Sequence, residues 1–585
     1  MVKSDHNNTV FDSLKSYGRK GNKESDKKPV IALSEKEAMN FFMGMDSYCT
    51  TELPEYFNFS NVLKFSSESI GAKSLDECLQ EGKTPEKLKD VNLDMITNKD
   101  GKYGVRPLTL ANPFLYYLLA RDICNETSWD KIKECFNLFI SDRILCRSIP
   151  IVRQDDKPEP FRGATTILNW WSGMEQTSIE LSLKYRYMFI TDITNCFGQI
   201  NPESISWALA RKDTPFETQE NEPLALNIQK YLRGMQQGRN IGIPQGSELF
   251  KFIAEIILGY SDMLLAQEIK IAQENGELTK NLDYQILRYV DDYRIFCSDR
   301  DALDKLSYIL QGVLERLNFR MNTSKTKITS EIIADSIKPD KAYYILNTPI
   351  ESKQIYEDEK GKVHKQPGYD FDGFQKHLLF IYEFARKFPN AGQLKNQLSA
   401  FSKRIEEQLS IKKKIEEVTS IDLETGETEK ETITKEYSGH LWENIPVMVA
   451  IAIQIASDNL GVAPYALRIA SLLLSDMKEE DGEKKMELIH LIYNKLHHQP
   501  NSAYLQLWLQ NITHTTDDWS QGEIYNMPLC RLVVNQSVNL WNNSWLMSEL
   551  TKNFPIDSIV NREILEKTGQ VITFKEKRQY DEMGY

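Results

Sequence analysis

The chain opens on a polar stretch and then turns periodic. Ser34 and Glu37 form a potential capping box, and Phe41, Phe42 and Met45 follow at helical spacing, so a helix is predicted from Ser34 onward. The run from Tyr185 to Asp192 is aromatic and β-branched and predicts a strand. Tyr284–Val290 and Tyr293–Phe296 predict two more strands around a tight Asp-Asp turn, while Leu249–Ala266 and Asp301–Leu317 carry helical periodicity. Between about 100 and 330, short β-rich runs alternate with helical stretches, which predicts an α+β core. Residues 351–368 are polar with a turn signal, and 412–436 alternates Thr, Ile, Val and charge around Thr425-Gly426, as an exposed hairpin or an insertion would. Beyond about 438 the pattern is helical throughout. Pro464, Gly482 and Asn501 fall between candidate helices, as in a bundle or a helical-repeat array.

These shifts divide the chain into a flexible polar arm (1–33), an α+β unit (34–345), a connector with polar insertions (346–437) and an α-helical C-terminal domain (438–585). A chain of 585 residues is long enough for two to four domains. Its 41% hydrophobic and 26% charged content is that of a globular protein. The eight cysteines are scattered without a CxxC pair, which excludes zinc-finger spacing and reads as free thiols in a reducing cytoplasm. The longest apolar run, Ile445 to Ala456, is broken by Pro446 and Gln454, whereas a membrane span needs roughly 20 apolar residues. It predicts a buried helix. The net charge of −13 runs against a polyanionic partner, although basic residues can cluster locally where nucleic acid lies.

The chemistry concentrates in two places. Arg288-Tyr289-Val290-Asp291-Asp292 places adjacent acids at a β-turn between apolar strands, where they repel unless a cation neutralises them. Asp192 ends the aromatic strand, with Phe197 five residues on. In-line phosphoryl transfer needs two divalent ions about 3.5–4 Å apart, held by oxygen ligands that converge from rigid elements. A strand-end aspartate beside a hairpin pair of aspartates meets that need.

With these residues in place, a resemblance becomes specific. Tyr289-Val290-Asp291-Asp292 resembles motif C of reverse transcriptases, and Phe189-Ile190-Thr191-Asp192 through Phe197 resembles motif A. Gly242-Ile243-Pro244-Gln245-Gly246 ahead of a helix resembles motif B, and Leu317-Asn318-Phe319 with Asn322-Thr323-Ser324-Lys325-Thr326-Lys327 resembles motif D. Lys99-Asp100-Gly101 and Arg106-Pro107 resemble the fingers motif. The five occur in the family's order. The Gly-Ile-Pro-x-Gly element leading into Ala254-Glu255, in place of a Ser-Pro element, is similar to bacterial defence-associated and abortive-infection reverse transcriptases, as is Ser148-Ile149-Pro150 before the palm. The likeness covers roughly residues 90–345.

The resemblance implies a right-hand polymerase, with fingers and palm carrying a β-hairpin catalytic turn, followed by an all-α, repeat-like C-terminal domain. It implies catalytic Asp192, Asp291 and Asp292, and two Mg2+ ions (Mn2+ as a substitute) held by those carboxylates and the backbone carbonyl of Ile193. It further implies Phe197 as the gate against a 2′-hydroxyl, Gln245 at the nascent base pair, Lys99 and Arg106 on the triphosphate, and Lys325 as proton donor to the departing pyrophosphate. The implied partners are dNTPs, a DNA product, and a non-coding RNA template or a protein hydroxyl as primer. A homo-oligomer or a second defence protein is the implied assembly, with no membrane. Retron-type, intron-type or other mobile-element enzymes and a non-catalytic polymerase-fold scaffold are the alternatives, and the intact aspartates argue against the last. No RNase H or His-Asn-His nuclease pattern follows the core. Trp508, Trp519, Trp541 and Trp545 could stack on single-stranded bases or fill a helical core. Tyr17, Tyr580 and Tyr585 are among the tyrosines that could prime.

Overall fold

A computed structural model describes residues 27–98, 104–153, 171–210, 222–347, 353–357, 363–367, 371–410, 413–421, 428–436, 445–477, 481–513 and 524–574. Lys99, Trp519, Tyr17, Tyr580 and Tyr585 lie outside these residues. The strands are β1 (Lys27–Pro29), β2 (Leu93–Asn98), β3 (Val105–Leu110), β4 (Ile144–Cys146), β5 (Ile151–Arg153), β6 (Tyr187–Asp192), β7 (Tyr284–Tyr289), β8 (Asp292–Cys297) and β9 (Lys327–Thr329). Two further hairpins, β10–β11 (Lys353–Glu357 with Val363–Pro367) and β12–β13 (Lys413–Ile421 with Thr428–Glu436), are antiparallel. The second occupies the stretch where the alternating pattern allowed a hairpin. The first extends a segment whose sequence showed only a polar turn.

The central sheet has the order β4-β7-β8-β6-β9, with β4 parallel to β7 and the other pairs antiparallel. Cross-strand partners share a face. Phe189, Ile295 and Tyr293 therefore point to one side, where they join the main hydrophobic core. The long helices α1 (Glu35–Met43), α2 (Ser60–Ile70), α3 (Pro113–Ile123), α4 (Glu126–Phe139), α5 (Pro223–Met235), α6 (Glu248–Glu274) and α7 (Arg300–Arg316) surround this core, with α7 against β6 and β8. Ser34 caps α1 in the predicted capping box. α6 runs well past the predicted Ala266, and nearly every residue of its first five turns is buried, as suits a helix packed against α4, α7 and β4. The opposite face carries Met188 and Phe296, which pack with Met174, Tyr185, Leu287 and Ile332 in a small second core.

The helical region consists of α8 (Phe371–Lys387), α9 (Gly392–Ser410), α10 (Ile445–Asp458), α11 (Ala463–Ser475), α12 (Gly482–Leu496) and α13 (Ala503–Thr513). The apolar run is the buried helix α10, as its composition predicted. No single described helix is long and apolar enough to cross a membrane; α10 and Leu460–Ser475 reach that composition only together, bent by 116°.

This region is continuous with the rest. Glu52 is buried, accepts a hydrogen bond from Tyr465 Oη (3.1 Å) and forms an ion pair with Lys395 (3.6 Å), while its carbonyl accepts from Tyr504 Oη (2.7 Å). Trp541 Nε1 donates to the Leu110 carbonyl (3.0 Å), and Asn112 donates to Asn543 (2.7 Å). Leu79 bridges Leu546 and Phe57 bridges Val560. Trp508, Trp541 and Trp545 are buried within this packing. Their rings are core, and the stacking role is excluded for these three because no base could reach them.

Candidate active site

The sheet positions the acids. Asp192 ends β6 and Asp292 begins β8, and the two are direct cross-strand partners, which places them on one face about 4.5–5.5 Å apart at Cα. Val290 lies between them and Tyr289 in a left-handed conformation (φ 53°), so the β7–β8 turn is tight enough to present Asp291 and Asp292 together. The Asp291 carbonyl accepts the Ile193 N–H (3.0 Å), locking the turn to the end of β6. The Asp192 carbonyl accepts the Asn322 N–H (2.8 Å), and Thr194 N–H reaches the Arg320 carbonyl (2.8 Å), so the motif-D-like loop is stitched to the same strand end. Thr191 and Thr326 hydroxyls meet at 2.7 Å. Asp192 and Asp292 lie on the face of the second core, with Ile190 and Arg294 next along the same face.

Lys325 Nζ contacts Asp192 Oδ2 at 2.7 Å; the lysine side chain is 59% exposed and the aspartate 10%. The other oxygen, Asp192 Oδ1, is buried and has no hydrogen-bond partner. Among the described residues, no three His, Cys, Asp or Glu side chains are already gathered as an ion-holding group. The donor set is nonetheless suited to a hard divalent cation: carboxylate oxygens from two strand ends, one of them desolvated and without a donor.

Of the remaining predicted residues, Phe197, Gln245 and Arg106 are described. Phe197 is half-buried in the short helix Cys196–Gln199, and its carbonyl accepts the Ile243 N–H (2.9 Å). Gln245 is half-buried, and its carbonyl accepts the Thr109 N–H (2.7 Å). Arg106 is exposed on β3, three residues from Thr109. Gly246, at φ 132°, lets this loop touch β3: a Cβ there would lie 2.8 Å from the Thr109 carbonyl oxygen. Asp192, Ile193, Asp291, Asp292 and Lys325 thus come together, while the Gly242–Gly246 loop joins Phe197 at one end to β3, which carries Arg106, at the other.

Two buried arginines on the hairpin had no role assigned from sequence. Arg294, on β8, donates to the Met174 carbonyl (3.4 Å), Ser178 Oγ (2.8 Å) and the Ser336 carbonyl (3.1 Å). Burial lowers its pKa, and Asp292 opposes that shift. Nearby, the buried Glu175 forms an ion pair with the half-buried Lys341 at 2.9 Å. Arg288, on β7, is paired with Asp262 and Glu255 from α6. The one signal available was a charged residue in an otherwise apolar strand, which implies a buried partner.

This arrangement, carboxylates on a β-hairpin and its neighbouring strand with helices behind, is a polymerase palm. Residues 148–374 match the reverse transcriptase (RNA-dependent DNA polymerase) family, and the chain therefore carries a reverse transcriptase domain. No curated protein matches the chain in sequence. Among solved structures, telomerase from Candida albicans in complex with a fragment of telomeric RNA is similar at 10% identity, over 73% of this chain and 67% of that one, with a TM-score of 0.26. Telomerase from Candida tropicalis is similar at 13% identity in its complex with a telomeric RNA fragment (74% and 67% coverage, TM-score 0.25) and at 14% in its apo form (76% and 72%, TM-score 0.27).

Proposed function

We propose that the chain is an RNA-directed DNA polymerase that adds deoxynucleotides by two-metal phosphoryl transfer, with Asp192, Asp291 and Asp292 as its catalytic carboxylates. The observation that carries this reading is the cross-strand pairing of Asp192 with Asp292 beside a desolvated Asp192 Oδ1 that has no hydrogen-bond partner. When bound, two Mg2+ ions (or Mn2+) would supply activation of the primer oxygen and charge neutralisation on the triphosphate. Asp192 and Asp291, with the Ile193 carbonyl, would hold them, and Asp292 supports the set. Lys325, already beside Asp192, carries a proton toward the leaving pyrophosphate. Phe197 is fixed by its backbone bond to Ile243 and restricts space at the sugar. Gln245 faces the nascent base pair, and Lys99 and Arg106 bind phosphates.

In this reading residues 34–345 are fingers and palm, 346–437 a thumb-like connector, and 438–585 a helical platform. The role in antiphage defence rests on the Gly242–Gly246 element and Ala254-Glu255. A small RNA template or a protein primer, and an oligomer or a second defence protein, complete the proposal.

The test supplies the purified chain, with the nucleic acid that travels with it, with magnesium and each labelled dNTP. Incorporation is expected in the wild type and absent in Asp291→Asn/Asp292→Asn, whose fold stays intact by circular dichroism. Full activity in the double variant refutes the site. Protease-sensitive retention of product in the gel well identifies protein priming, and loss after RNase pretreatment identifies a dedicated RNA template.

A further inference from the structure

Val290, the residue ahead of the two hairpin acids, is β-branched and left-handed at φ 53°. That region is disfavoured for such a side chain, so something must hold it there. Arg288 reaches it: Nη1 lies 3.3 Å from the Val290 carbonyl oxygen. The same guanidinium, 1% exposed, bonds Glu255 Oε2 through Nη1 (3.1 Å), Asp262 Oδ2 through Nε (2.8 Å), Ser148 Oγ through Nη1 (3.4 Å) and Cys146 Sγ through Nη2 (3.2 Å). Its own carbonyl accepts the Arg147 N–H (2.8 Å). One planar, always-charged fork therefore joins the helix after the motif-B loop, the segment after β4, and the turn that bears the acids. A lysine would supply the charge without the fixed donor geometry.

We infer that Arg288 is a positioning residue: anchored on Glu255 and Asp262 of α6, it holds Val290 in its left-handed turn and so sets Asp291 and Asp292 opposite Asp192. This inference rests on the polymerase reading of the site. It assigns to Glu255 and Asp262 the task of orienting the arginine, not of touching substrate.

The test measures single-nucleotide incorporation by the full chain with magnesium, per folded molecule, in the wild type, Arg288→Lys, Asp262→Asn, Val290→Gly and Arg288→Lys/Val290→Gly. Arg288→Lys is expected to lower kcat about tenfold with the dNTP KM changed by about twofold or less. When Val290→Gly is also present, the same lysine substitution is expected to cost only about twofold, because glycine holds the left-handed turn unaided. Asp262→Asn, which leaves the Val290 contact in place, is expected to lower the melting temperature more than it lowers kcat. A merely structural arginine would give equal losses in the Val290 and Val290→Gly backgrounds, and that result overturns the inference. If Arg288→Lys does not fold, Arg288→Gln with Asp262→Asn, which balances the buried charge, replaces it in the same cycle. A wild type that incorporates nothing fails the polymerase reading itself; an active wild type with an indifferent Arg288→Lys fails only this inference.

Discussion

Replacing Lys325 with methionine separates two things that the lysine does. Its ammonium contacts Asp192 Oδ2 at 2.7 Å while more than half the side chain remains in solvent. An ion pair with one exposed partner contributes about 0.5–1 kcal/mol. Any cation that binds through Asp192 must compete with that contact, so its removal returns about the same free energy to cation binding. Since 1.4 kcal/mol is a factor of ten, Lys325→Met is expected to tighten Mg2+ binding roughly twofold to fivefold in the absence of nucleotide. Incorporation should move the other way, falling about tenfold or more, because the proposed proton donor is gone. Isothermal titration of Mg2+ into the full chain at physiological salt reads the first effect, and single-turnover incorporation at saturating Mg2+ reads the second. The gain in Mg2+ affinity should shrink at high ionic strength, where the exposed ammonium is screened. An unchanged or weaker Mg2+ half-saturation in the variant refutes the competition argument, whatever happens to turnover.

Phe197→Ala is expected to admit ribonucleotides at least about tenfold more readily relative to deoxynucleotides, measured as a ratio of kcat/KM; an unchanged ratio makes Phe197 a core residue only. Gly246→Ala places a Cβ 2.8 Å from the Thr109 carbonyl oxygen at φ 132°, and is expected to destabilise the chain by roughly 3 kcal/mol in denaturant titration; a loss under about 0.5 kcal/mol would show that the loop moves aside freely. His377, held by burial and by Arg404 at 3.0 Å, has its pKa lowered to about 4. The unfolded chain takes up that proton near pH 6.5, so the stability His377 contributes is present above about 6.5 and is lost as the pH falls through 4, by about 3 kcal/mol at most. His377→Gln should flatten the decline in melting temperature between pH 7 and 5, and parallel curves for the two proteins would refute this.

The hairpin, its two strands and the aspartate at the end of β6 were legible because alternation and turn chemistry are local. The same holds for the Ser34 cap and for α10. Burial decides between readings that share one sequence, as at Trp508, Trp541 and Trp545, where a ring suited to stacking is equally suited to a core. Glu255 shows the limit from another side. It was visible as the second residue of an Ala-Glu pair, but its partner Arg288 is 33 positions away, and no local period encodes that distance. The bonds from Arg294 to residues 174, 178 and 336 are hidden for the same reason.

The meeting of residues 541–560 with residues 57–112 bears on biogenesis. While the polypeptide is being made, α2 and α3 emerge early, yet Leu79 and Leu110 acquire their coverings only when residues near 541–546 leave the ribosome. At ordinary elongation rates of about 5–20 residues per second, that delay is roughly 20–100 s. A nascent chain would carry a finished β7–β8 hairpin while Leu79 and Leu110 still lack their partners for about half of that interval. A ribosome stalled before residue 541 would release a chain with exposed apolar surface, suited to capture by a chaperone or a protease.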